Sequence, residues 1–199
     1  MAYLISSKYG FAFSYEVIAG MMFATISQVV FALFYFQASR KYKPLTSLIA
    51  GVVGFAFSTL ILNLIHLNIF LKFLLVVLAI IGGMKVFQKA KGIQINGKVP
   101  SPIWEIPVRV ATATFVVFAI TEISPHVGAN LAGLLSPFPV LAAVMAFFTH
   151  LSEGKLEAQL VLKGLIMGLL TPASYFFVLG LTVNSQGYFA FLYALIVAI

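Results

Sequence analysis

LTSLIAGVVGFAFSTLILNLIH, running from Leu45 to His66, is the stretch on which the fold turns. Its 22 residues carry no formal charge. At 1.5 Å per residue a helix of that length is about 33 Å long, enough to cross a bilayer's hydrocarbon core of roughly 30 Å. The apolar residues form a continuous run. A strand of a transmembrane barrel would instead alternate apolar and polar positions, so in lipid only a helix can pair every backbone N–H and C=O of this segment. Arg40, Lys41 and Lys43 stand directly before it, as the basic flank of a membrane helix does.

Working outward, comparable runs lie at Ser14–Gln37, Ile69–Phe87, Ile106–Ile123, Gly128–His150, Leu156–Leu181 and Gly187–Ile199. With the first stretch they predict seven spans. Six is the alternative, because the last run has only 13 residues. Met1 to Phe13 shows no small-residue cleavage pattern and reads as a short amphipathic lead-in. Only 9% of the residues are charged, against about 25% in soluble domains, too few to cover a water-facing surface. The expectation is an all-α, polytopic integral membrane bundle forming one domain over residues 1–199, whose first partner is the lipid bilayer.

Composition also limits the chemistry. Five carboxylates, three histidines and no cysteine exclude disulfide and thiolate chemistry and argue against an enzyme. His66, His126 and His150 belong to different loops or helix ends, so neither a metal nor another cofactor is expected. No serine has a base near it in a recognisable nucleophile motif.

The formal charge of +7 reads as a topology signal. Ten of the twelve Lys and Arg fall after span 1, around the loop between spans 3 and 4, or after span 5, and only Lys8 and Lys72 fall on the other side. The positive-inside rule then puts the N-terminus outside the cell. Nucleic-acid binding is not expected, since the charges are spread over short loops without interleaved aromatics.

The loop from Gln88 to Glu105, with Gly92, Gly97, Pro100, Pro102 and an interfacial Trp104, divides the chain roughly in half. At an offset of 113, Ile18–Met22 falls on Leu131–Leu135 and Phe34–Gln37 on Phe147–His150. One residue out of that register, Ala50 and Gly54 fall on Gly164 and Gly168. The expectation is a parallel repeat of residues 14–87 and 128–199 about a linker at 88–123, with two small-residue faces suited to close helix packing or to a homo-oligomer. This 3+1+3 plan looks like that of the sugar-transporting SWEET proteins, without their Pro-Gln signature.

Two proline-bearing segments concentrate the functional expectation. Ser136-Pro137-Phe138-Pro139 is placed at the middle of span 5 and Thr171-Pro172-Ala173-Ser174 near the middle of span 6. Proline removes a backbone donor and clashes with the preceding turn, which frees carbonyls that in hydrocarbon need a partner. Packing kinks re-satisfied by Ser and Thr are the plain alternative. The other mid-depth hydroxyls, Thr25, Ser27, Ser58, Thr59, Thr112 and Thr114, read as helix-to-helix contacts worth on average about 0.6 kcal/mol each. Gln28 should turn into the bundle, because an amide facing lipid is costly. Glu122 and His150 are the candidates for proton coupling.

From Thr121-Glu122-Ile123-Ser124-Pro125-His126 through Ala132-Gly133-Leu134-Leu135-Ser136-Pro137-Phe138-Pro139 to Phe147-Phe148-Thr149-His150 and Gly154, the chain resembles the GlpM-like group of small bacterial membrane proteins. The resemblance covers roughly 35 residues. It implies a multi-pass protein of a bacterial inner membrane, with no established reaction, and favours Glu122, Ser136, Pro137, Phe138, Pro139, Thr149 and His150. The functional expectation is a small secondary transporter or permease for an unidentified small solute, bound at mid-depth by Gln28, Ser136, Phe138, Thr171 and Ser174. The rival is a non-transporting scaffold or assembly subunit. A polar cavity would favour the first, and a dry packed centre with an exposed small-residue stripe the second.

Overall fold

A computed structural model describes residues 11–65, 67–89, 105–123, 138–186 and 189–198. Among the described residues there are helices and connecting turns and no strands. The helices are α1 (Phe11–Ser39), α2 (Pro44–Asn63), α3 (Ile69–Lys89), α4 (Glu105–Ile123), α5 (Val140–Ser152), α6 (Lys155–Gly168), α7 (Leu170–Gln186) and α8 (Phe189–Ala198). Among the described residues, four segments are long and apolar enough to cross a membrane: Ile18–Ser39, Pro44–Asn63, Ile69–Gln88 and Lys155–Val183.

Local chemistry explains the boundaries. Pro44 opens α2 at its first turn, where its missing N–H removes no helical bond. Between α5 and α6 the chain reverses at Gly154, whose φ of +113° lies in the region only glycine enters easily. The Thr149 carbonyl accepts hydrogen bonds from the Glu153 and Gly154 N–H groups and closes α5. The rod Lys155–Val183 is interrupted at Leu169, within the turn before Pro172, where the proline ring displaces the preceding backbone.

The bundle is organised around α1, which packs on α2, α3, α6 and α7. In its span 61% of the residues are buried, against 28%, 22% and 33% in the other three, so α1 is the core and the others present an outer face. That outer face is apolar: Val53 and Phe57 on α2 and Phe70, Leu74 and Leu78 on α3 are all exposed. Meanwhile Thr25, Ser27, Ser39, Ser47, Thr59, Thr149 and Gln159 are buried. Polar groups inside and large hydrophobic side chains outside suit a surround of lipid and would leave a patch far larger than water tolerates.

Several expectations need correction. Span 6 is interrupted at Leu169 and not at Thr171–Ser174, which lie at the start of α7, while span 5 is described only from Phe138, residues 128–137 lying outside the described set. The last run forms the ten-residue α8, about 15 Å long and half a membrane thickness. It folds back on α7 by burying Ala190 and Ala194 beside Leu179 and Val183. The close-packing face of α2 is Gly51 with Gly54, rather than Ala50 with Gly54. A Cβ added at Gly51 would stand 2.8 Å from the Phe31 ring, and one at Gly54 2.7 Å from that of Phe34. Gly164 and Gly168 are exposed, with open space where a Cβ would go, so they do not repeat that contact. Residues 131–135, the other half of the offset match, lie outside the described residues.

Candidate functional site

The contacts along α1 set the level of each proposed site residue. Phe31 meets Phe138 edge-on with ring centroids 5.9 Å apart, and Phe55 meets Phe138 in the same way at 5.3 Å. On another side of α1, a Cβ on Gly83 would stand 3.0 Å from Val29 and 3.2 Å from Ile166. Phe138 and Ile166 therefore sit against residues only two positions apart on α1, about 3 Å along its axis. The start of α5 and the Ile166 turn of α6 thus lie close to one level, with the α6/α7 interruption at Leu169 three residues further along.

The expected polar cavity between them is not formed by the described residues at that level. Phe31, Phe55, Phe138, Val29, Ile166 and Leu169 belong to one hydrophobic core. Helix α5 packs on α2, α4 and α6, whereas α7 packs on α1, α3 and α8. Pro139 is buried as the residue preceding α5, not a kink inside a continuous helix. Thr171 is exposed, Pro172 and Ser174 are half-buried on α7, and Gln28 is half-buried on α1. Phe138 is enclosed by aromatic rings. Ser136 and Pro137 lie outside the described residues. The hydroxyl of Ser27 is buried on α1 with no hydrogen-bond partner among the described residues.

Polar chemistry gathers instead at one end of α1. The Tyr35 side chain is completely buried, and its hydroxyl donates to the Ala146 carbonyl at 3.1 Å while lying 3.3 Å from His150 Nδ1. A phenol has a single proton. With that proton on Ala146, the Tyr35 oxygen must accept from Nδ1–H, which leaves His150 Nε2 as the unprotonated nitrogen of the neutral ring. One turn further along α1, the Ser39 hydroxyl donates to the Phe36 carbonyl at 2.8 Å and accepts from Gln159 Nε2 on α6 at 3.0 Å. These two links tie α1 to α5 and to α6.

Above them opens a mouth of about 450 Å³ between the α1–α2 turn and the α5–α6 turn. Its walls include Ser39, Arg40, Lys41, Lys43, His150 and Lys155. Arg109 of α4 reaches the same end, donating to Glu153 at 3.4 Å as a partly buried ion pair. The C-terminal turn of α3 is there too, with Phe87 against Phe36 at 4.4 Å. Lys72 lies at the far end of α3, its ammonium 5.6 Å from the Phe23 ring centroid. The antiparallel order therefore collects the basic turns at one end of the bundle, as the charge distribution predicts.

Of the two proton-coupling candidates, His150 belongs to this mouth. Glu122 is exposed in the last turn of α4, thirteen residues or about 20 Å along the helix from Arg109, and so toward the opposite end. Among the described residues no three metal-ligating side chains cluster. Tyr35, Ser39 and Gln159 were not singled out by sequence reasoning. The available signal was Tyr35 and Ser39 one turn apart at the C-terminal end of α1.

No family model matches the chain, and neither a curated protein nor a solved structure shows significant similarity to it.

Proposed function

We propose that the chain is a small multi-pass transporter or permease of a bacterial inner membrane, related to the GlpM-like group it resembles, with its basic end in the cytoplasm and its N-terminus outside. A small solute enters at the mouth beside His150. The observation that carries this reading is the open, polar mouth resting on the Tyr35–His150 and Ser39–Gln159 links. In the state described, the aromatic centre closes the path below the mouth.

One specific observation favours the rival, a scaffold or assembly subunit. The described centre is dry and Gly164 and Gly168 are open on the outside of α6, ready for another helix. Reconstituted vesicles separate the two. Solute-dependent uptake that is lost when Pro137 and Pro139 are both replaced by Ala supports transport. A chain that moves no member of a broad solute panel, and whose complex in native membranes dissociates on Gly164→Leu, supports the scaffold.

A further inference from the structure

The charge and shape of the mouth define a ligand class. The mouth is a shallow concavity of about 450 Å³, wide open on its outer side. Four cationic side chains line it, those of Arg40, Lys41, Lys43 and Lys155, and among the described residues no carboxylate does. Glu153 is held by Arg109. Glu157, in the first turn of α6, lies beside Gly154 and offsets one of the four charges, so the mouth remains net positive. Basic residues placed only to orient a helix in the membrane need no shared concavity. These come from two separate turns and converge on one.

The backbone adds to the same potential. The N-termini of α2 and α6 both open at this mouth, and neither is capped by a side chain. Their first-turn N–H groups, apart from Pro44, which has none, lack an intrahelical acceptor and carry the positive end of the helix dipole. A cation is repelled here, and a neutral solute leaves the crowded like charges uncompensated. An anion with several acceptor oxygens meets an ammonium or guanidinium group from either turn, with the guanidinium able to bind in two-pronged fashion.

We propose that this mouth binds an oxyanion of the phosphate type, carried by a free solute or by the headgroup of an anionic lipid. This holds whether or not a solute crosses the membrane. The test uses the full chain in nanodiscs of phosphatidylcholine, titrated with inorganic phosphate by calorimetry. A second arm replaces part of the lipid with phosphatidylglycerol and counts retained anionic lipid by native mass spectrometry. Lys43→Gln with Lys155→Gln removes two charges from the mouth. Lys85→Gln with Lys163→Gln removes two charges from helices at the same end that do not line it. Saturable binding in either arm is expected, and the arm in which it occurs identifies the source. The mouth pair should weaken it about tenfold or more, the worth of one charge-assisted contact, while the control pair should change it within about twofold. No saturable binding in either arm, or equal weakening by both pairs, would overturn the proposal. Thermal unfolding of both variants in detergent confirms that they fold. A chain that binds phosphate yet moves no solute would retain this site and sink the transport reading.

Discussion

Two levels of α1, separated by little more than one helical turn, have opposite chemistry. Around Val29 and Phe31 the neighbours are Phe55, Phe138 and Ile166, and the space is filled by rings and methyl groups. Around Tyr35 and Ser39 the neighbours are Ala146, His150 and Gln159, and each polar group described there finds a partner before the chain opens onto the mouth. The lesson is that a helix break does not by itself make a polar site. A proline frees a carbonyl, but whether that carbonyl faces water depends on which side chains fill the level, and here they are aromatic.

Breaking the aromatic level should have the larger effect. Phe138 joins α5 to α1 and α2 through two edge-on ring contacts, and Phe138→Ala should lower unfolding stability by about 3 kcal/mol. Reversible unfolding in mixed micelles measures it. A loss comparable to that of an exposed residue such as Phe57→Ala would mean that α5 is not anchored at this level. At the polar level, Tyr35→Phe removes both hydroxyl contacts and should cost about 1 kcal/mol. Its signature is a changed His150 imidazole resonance in NMR, which a purely packing role for Tyr35 would leave in place.

The smallest effect is expected at Ser27, two residues before Val29 on α1. Its hydroxyl is buried and unpartnered among the described residues, so Ser27→Ala should be neutral or stabilise by up to roughly 1 kcal/mol. A clear destabilisation would show that the hydroxyl is satisfied in the membrane, by water or by a solute, and that the centre is wetter than the packing of Phe31 and Phe138 implies.

The same contrast explains what was legible in the sequence. The uncharged run from Leu45 to Asn63 and the clustering of basic residues each follow from short stretches read alone, and both reappear in the fold. The interruption near Pro172 was likewise local. What fills the space beside a break was not, because the pairing of Phe138 with Phe31 and Phe55 joins residues over 80 positions apart. Gln159 was overlooked for a related reason. Beside Lys155, Glu157 and Lys163 it reads as one more polar residue at a helix start, and only the antiparallel return of α6 along α1 brings it to Ser39. The glycine faces went astray by one residue of register: Ala50 with Gly54 and Gly51 with Gly54 are equally good small-residue pairs in sequence, and only the direction of the Phe31 and Phe34 rings decides between them.

The most direct test of the account is thiol labelling in intact cells and inverted vesicles, which has no background because the chain lacks cysteine. Leu151→Cys at the mouth should react with a membrane-impermeant maleimide only from the cytoplasmic side. Asn68→Cys at the opposite end should react only from outside, and Phe138→Cys from neither. Labelling of Phe138→Cys as fast as Leu151→Cys would contradict the dry centre, and labelling of Leu151→Cys and Asn68→Cys from the same side would contradict a bundle that spans the membrane with its basic end inward.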